Sequence, residues 1–189
     1  MVYADVLRPA VRRSAWLYDA ALVLGGSWLI ALSARVALPL PWSPVPVTGQ
    51  TLAVLLVAAL LGSRRGTLAV LATLAQGVAG LPVFAGGAAG PAWLLGPTGG
   101  YWLGFVLAAM LVGTLAERGW DRRMVSSALA MLAGNVVIYM AGVAWLTQFV
   151  GGVERALTAG VLPFLVGDLF KIALAALLLP TGWRLLGRR

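Results

Sequence analysis

The chain has 189 residues, 61% of them apolar and 11% charged, where a soluble domain carries about 25% charged residues. Its 14 Lys and Arg against 6 Asp and Glu give a net charge of +8, but no interleaved basic and aromatic surface supports nucleic acid as a partner. There is no Cys and no His, which excludes disulfides, thiol chemistry, the usual zinc sites and His-based acid–base catalysis.

A helical span takes roughly 20 mostly apolar residues, so the chain has room for about six after tails and loops. Residues 1–16 read as a basic tail with Arg8, Arg12 and Arg13. The first predicted helix covers 17–38. The Arg12-Arg13 pair and Ala31-Leu32-Ser33-Ala34 beyond it imitate a signal peptide; the run is nearly span-length and further spans follow at once, so a retained helix is expected. Pro39, Pro41, Pro44 and Pro46 follow, and proline removes donors and biases the preceding residue to extended geometry, so that segment is not helical. A short helix over 49–61 ends at the basic turn Gly62-Ser63-Arg64-Arg65-Gly66, and the next covers 67–81. The stretch from Pro82 to Pro97 is uncharged and rich in Gly, Ala and Pro. Helices over 98–116, 124–149 and 160–179 complete the set, with a charged turn from Glu117 to Arg123, a polar loop holding Glu154 and Arg155, and a basic tail over 182–189.

Basic residues divide by side. The termini and the second–third and fourth–fifth turns hold eleven: Arg8, Arg12, Arg13, Arg64, Arg65, Arg118, Arg122, Arg123, Arg184, Arg188 and Arg189. The other loops hold Arg155, and Arg35 snorkels from the outer end of the first helix. The bias places both termini in the cytoplasm and requires an even number of spans. The expected fold is an all-α integral membrane protein of six transmembrane helices, a single membrane domain over 1–189 with its bundle over about 17–181. A multi-pass protein of a bacterial inner (cell) membrane, surrounded by lipid bilayer, is expected. The two uncharged outer connections, first–second and third–fourth, are expected to fold over a binding cavity, because irregular backbone at membrane depth must be buried or line a cavity.

Asp168 and Lys171 lie three apart on one face of the last helix, about 12 Å from its predicted outer end. Ionised groups at such depth cost ~2.5–3.5 kcal/mol each, an expensive way to pack one helix; a ligand site is the favoured reading. Asn135 and Tyr139 share a stripe on the fifth helix that either binds a polar ligand or makes an interhelical hydrogen bond. Gln50, beside Thr48 and Thr51, either caps its helix or reaches the cavity. The run Gly96-Pro97-Thr98-Gly99-Gly100-Tyr101 leads into a helix start, where free N–H groups can receive an anion; no Gly-Lys-Ser/Thr makes it a P-loop. Gly100, Gly104 and Ala108 form a small-residue stripe suited to internal packing. Ser27, Ala31 and Ala34 form a second, which either packs internally or, as carried forward, faces a partner protein.

The runs PLPWSPVPVTGQTLAVLL, GLPVFAGG, GPTGGYWLGF and GVLPFLVGDLFKIALAALL resemble the biotin-specific BioY family, whose members are substrate-binding S components of energy-coupling factor transporters. The resemblance covers about 31–179, in order and with family-like spacing. It implies six helices, a vitamin held near the outer face, no cofactor or metal, and as partners a transmembrane coupling (T) component and two cytoplasmic ATPases. It also implies that Asp168 and Lys171 are biotin ligands. In the resulting site Asp168 accepts from the ureido N–H groups and Lys171 or Asn135 donates to the carbonyl. Phe84, Trp93, Tyr101 and Phe164 wall the apolar part, and Lys171 or backbone N–H groups near Gly99 meet the carboxylate. Tyr139, Gln50, Thr98 and Gly100 complete the candidate set. The third–fourth loop ends in uncharged Gly96-Pro97-Thr98, so a family member with a charged side chain there must hold the ligand differently.

The chain is not expected to be an enzyme, since a rhomboid-type protease needs a His and no serine lies on the last helix beside Lys171. The alternative carried forward is a stand-alone secondary carrier for a small vitamin-like molecule, with Asp168 as a proton site.

Overall fold

The computed structural model describes residues 1–6, 8, 9 and 11–187. Arg188 and Arg189, and the side chains of Arg12 and Arg13, all of which enter the basic asymmetry, lie outside the described residues. In chain order the elements are α1 (Tyr3–Val6), α2 (Arg12–Ser33), β1 (Ala37–Leu40), β2 (Ser43–Thr48), α3 (Gln50–Val78), α4 (Pro91–Leu95), α5 (Gly99–Glu117), α6 (Met124–Val150), α7 (Val153–Gly160) and α8 (Leu162–Leu186). Five of these helices, α2, α3, α5, α6 and α8, are long and apolar enough to cross a membrane. Large apolar side chains such as Val125, Met140, Leu169 and Phe170 point outward, as lipid requires.

The 29 residues of α3 are not one rod. Gly62 adopts φ 84° and ψ 174°, a conformation open to glycine at no steric cost. In a straight helix Ala58 and Gly66 would stand about 12 Å apart, yet a Cβ placed on Gly66 would lie 2.7 Å from the Ala58 Cα. The chain therefore doubles back at Gly62 and its two halves pack on one another. Helix α2 lies against both halves: a Cβ on Gly26 would meet Val57 of the first and Ala69 of the second.

That packing corrects the expectation for the α2 stripe. Ser27 and Ala34 are fully buried and Ala31 nearly so. The Ser27 carbonyl accepts from the Thr73 hydroxyl at 3.3 Å, and the Ala34 carbonyl from the Gly86 N–H at 3.1 Å. These small residues let α3 approach α2 and are not open to a partner. The Gly100–Gly104–Ala108 stripe is buried as well, with Gly104 against the Ile138 backbone of α6.

The expectation of an all-α chain needs a second correction. The proline-rich segment is an antiparallel hairpin with Ala37 opposite Thr48, Leu38 opposite Val47 and Leu40 opposite Ser43. In a two-stranded sheet each strand is an edge, so Pro39, Pro44 and Pro46 can occupy positions whose missing N–H the ladder does not need. The first helix accordingly runs over Arg12–Ser33 rather than 17–38. Glu154 and Arg155 sit on the short helix α7 rather than in a loop.

The charged turns gather at one end of the bundle. There the Ser63 N–H donates to Glu117 Oε1 at 2.7 Å, Trp183 Nε1 donates to Asp121 Oδ2 at 2.5 Å, and the Tyr3 ring lies 4.5 Å from that of Trp183. Burial pushes the Tyr3 hydroxyl up to about 12 and raises the Asp121 carboxyl. At the opposite end are the hairpin, α4 and α7. The Ser43 hydroxyl ties hairpin to α7 by donating to the Ala159 carbonyl at 2.7 Å.

Candidate functional site

Helix α8 begins at Leu162 with a proline in its first turn, which suits a position whose N–H has no intrahelical partner. Asp168 lies six residues further on, about 9 Å along the axis. It is only 3% exposed. Its Oδ1 accepts from Lys171 Nζ at 2.7 Å and from the Thr51 hydroxyl at 3.2 Å. Its Oδ2 accepts from the Tyr139 hydroxyl of α6.

Lys171 Nζ donates in addition to Thr51 Oγ1 at 2.7 Å and to the Thr48 carbonyl at 2.9 Å. An ammonium has three N–H donors and no acceptor, so this one is fully engaged. The pair thus joins α8 to the end of β2, the start of α3 and the middle of α6. The Thr51 hydroxyl accepts from the ammonium and donates to the carboxylate, satisfying both charges at once.

Beside this layer opens a cavity of about 530 Å³, its open mouth included. Val45, Pro46 and Thr48 of the hairpin and Ala85, Trp93 and Thr98 of the α3–α5 connection line it. Trp102, Phe105, Ile138 and Phe164 supply the rest of an apolar wall. The lining is tied down from outside: Tyr101 donates its hydroxyl to the Gly160 carbonyl at 2.7 Å, Thr98 to the Trp93 carbonyl at 3.3 Å, and Trp145 Nε1 to the Gly96 carbonyl at 2.9 Å. Gln50 is 3% exposed, and its Nε2, like Trp93 Nε1, has no hydrogen-bond partner among the described residues.

Of the residues singled out in the sequence, Asp168, Lys171, Tyr139, Gln50, Thr98, Tyr101, Trp93 and Phe164 line this one cavity. Four others do not. Phe84 is fully buried in the core, packed on Gly77 and edge-on to Trp102 at 5.1 Å. Gly99 sits tightly under the Leu94 carbonyl and its own N–H donates to Gly96 at 3.1 Å. Gly100 is pressed against Trp145. These two glycines serve close packing at the α5 start, and the Gly99 N–H is not free for an anion. Asn135, 3% exposed, opens on a separate space of about 170 Å³ with Met131 and the inner side of Lys171.

Residues not anticipated are Thr48 and Thr51 as partners of the ion pair, and the wall residues Val45, Pro46, Trp102, Phe105 and Ile138. A signal for the first two was present, since Thr48-Gly49-Gln50-Thr51 puts three hydrogen-bonding side chains at the head of an apolar run. Trp102 and Phe105, three apart, continue the face begun by Tyr101 at helical spacing.

The fold matches a known class. A crystal structure of the S-component for biotin from an ECF-type ABC transporter superposes with a TM-score of 0.83 over 93% of this chain and 95% of the other, at 24% identity. The chain has that membrane S-component fold. The BioY family profile matches residues 8–188, and the chain belongs to the BioY family. Among its relatives is the biotin transporter BioY of Thermotoga maritima, 40% identical over 159 residues, which cover 84% of this chain and 87% of the relative. The biotin transporter BioY of Rhizobium etli is 36% identical over 158 residues, covering 79% and 84%. The probable biotin transporter BioY of Pyrococcus horikoshii is 39% identical over 150 residues, covering 79% and 86%.

Proposed function

We propose that this chain is the biotin-capturing S component of a vitamin uptake transporter, a single membrane domain that binds biotin on the outer side of a bacterial cell membrane. The observation that carries the proposal is the Asp168 carboxylate, buried at the wall of an otherwise apolar cavity and held by Lys171, Thr51 and Tyr139. Biotin's ureido ring brings N–H donors that a carboxylate can accept. Its thioether ring and valeryl chain suit walls of Trp93, Trp102, Phe105 and Phe164.

Counting the two halves of α3 separately gives six crossing helices with both termini inside. The gathering of Arg64, Arg65, Arg118 and Arg122 at the end opposite the hairpin supports that orientation. The hairpin and the α3–α5 connection then close the cavity from outside. No nucleotide-binding loop is present in the sequence, so uptake draws on a transmembrane coupling protein and two cytoplasmic ATPases. The coupling protein meets a surface other than the buried Ser27–Ala31–Ala34 stripe. Two of the relatives named above are biotin transporters and the third a probable biotin transporter, and a stand-alone carrier with Asp168 as a proton site is not favoured.

Equilibrium binding of labelled biotin to the purified protein tests this. Saturable binding is expected without nucleotide or partner. Folded protein that shows no saturable binding would overturn the proposal.

A further inference from the structure

Among the hydrogen-bond donors facing the cavity, most are already engaged within the protein. The ammonium of Lys171 is shared among Asp168, Thr51 and Thr48. The hydroxyls of Thr51 and Tyr139 are on Asp168. Tyr101 and Thr98 donate to backbone carbonyls. Two buried donors remain without a partner among the described residues, Gln50 Nε2 and Trp93 Nε1. A buried N–H left unpaired is unfavourable and rare in folded proteins, so its presence on the wall of a cavity points to an acceptor brought by a ligand.

The two differ in position. Trp93 belongs to the short helix α4 in the outer connection. Gln50 is the first residue of α3, adjacent to Thr51, whose hydroxyl is bonded to Asp168. The free amide and the carboxylate line the same cavity, and a donor facing the same space as an acceptor-only group is the complement of a cyclic urea, which carries N–H and C=O on the same ring.

Resting on biotin as the ligand, we propose that Gln50 is a specificity-determining residue: its NH₂ group holds the ureido carbonyl oxygen while Asp168 accepts a ureido N–H. Lys171, with its three donors engaged, fixes the carboxylate and the end of the hairpin in place. The carbonyl is read by the amide rather than by the ammonium. Recognition of the ring thus depends on a neutral side chain from the head of α3 as well as on the charged pair of α8.

The test compares biotin with 2-iminobiotin, in which the ureido oxygen is replaced by nitrogen and which at neutral pH is a donor where biotin is an acceptor. Two variants are used with the full chain: Gln50→Glu, which replaces the NH₂ by an acceptor, and Gln50→Met, of similar length and with no polar group to misplace in the membrane. Thermal melts confirm that each is folded. Loss of one such bond and mispairing of a buried group should lower biotin affinity by at least about tenfold in either variant. The preference for biotin over 2-iminobiotin should fall by a similar factor, most in Gln50→Glu. Either folded variant binding biotin within about twofold of the parent, with an unchanged preference, would overturn the role of Gln50. A parent that binds neither compound would instead remove the biotin reading on which this inference stands.

Discussion

Each end of the bundle carries an ion-pair network, and the two are built differently. At the end opposite the hairpin, the inner one in the proposed orientation, Arg65 bonds Asp5 and Asp19, both at 2.8 Å, and Arg8 bonds Asp19 at 2.7 Å. Its side chains range from 13% exposed for Arg65 to 46% for Arg8. Burial pushes the Asp5 carboxyl up, but the Val2 N–H and the Arg65 guanidinium outweigh it and hold it below the usual carboxylate range. At the outer end Asp168 is almost wholly buried, and its network borders a cavity with two unpaired donors. The first network pins the N-terminal segment to α2 and α3. The cavity beside the second network holds unpaired donors. In the proposed function, what separates the two is not the presence of charge but the unmet hydrogen bonds around a space.

Disabling each network in turn should separate the two roles. The largest effect is expected for Asp168→Asn, which keeps the shape but turns part of the acceptor capacity into donors. A lost charge-assisted bond costs ~1.5–3 kcal/mol, so biotin affinity should drop by at least about tenfold. Normal affinity in a folded Asp168→Asn protein would make the outer network as purely structural as the inner one. A smaller effect of another kind is expected for Arg65→Met. It leaves Asp5 and Asp19 without their shared cation in a partly hydrated setting, for a loss of about 1 kcal/mol. The melting temperature should fall while biotin affinity stays unchanged. A loss of binding there would show that the two ends are coupled.

Much of the outer site was legible because it rests on short-range rules. Asp168 and Lys171 three apart are forced onto one helix face, and an intramembrane charge is uncommon enough to stand out. Tyr139 followed from the same reasoning, whereas Asn135, four residues earlier on the same stripe, lies one turn deeper and faces a different space. Helical spacing fixes a face, not a depth. The hairpin was hidden by its own prolines, which argue against a strand unless both strands are edges. The stripe of Ser27, Ala31 and Ala34 announced close helix approach correctly but not whose helix approaches. The partner turned out to be the doubled-back α3, brought there by the backbone of Gly62.

The double variant Asp168→Asn with Lys171→Met distinguishes an Asp168–Lys171 pair that is part of a biotin site from one that is a packing device. Removing both charges spares the fold an uncompensated ion, so the melting temperature should largely recover from that of Asp168→Asn. Labelled biotin in equilibrium dialysis should still bind at least about tenfold more weakly than to the parent. A folded double variant that binds biotin as the parent does would show the pair to be structural and would contradict the site.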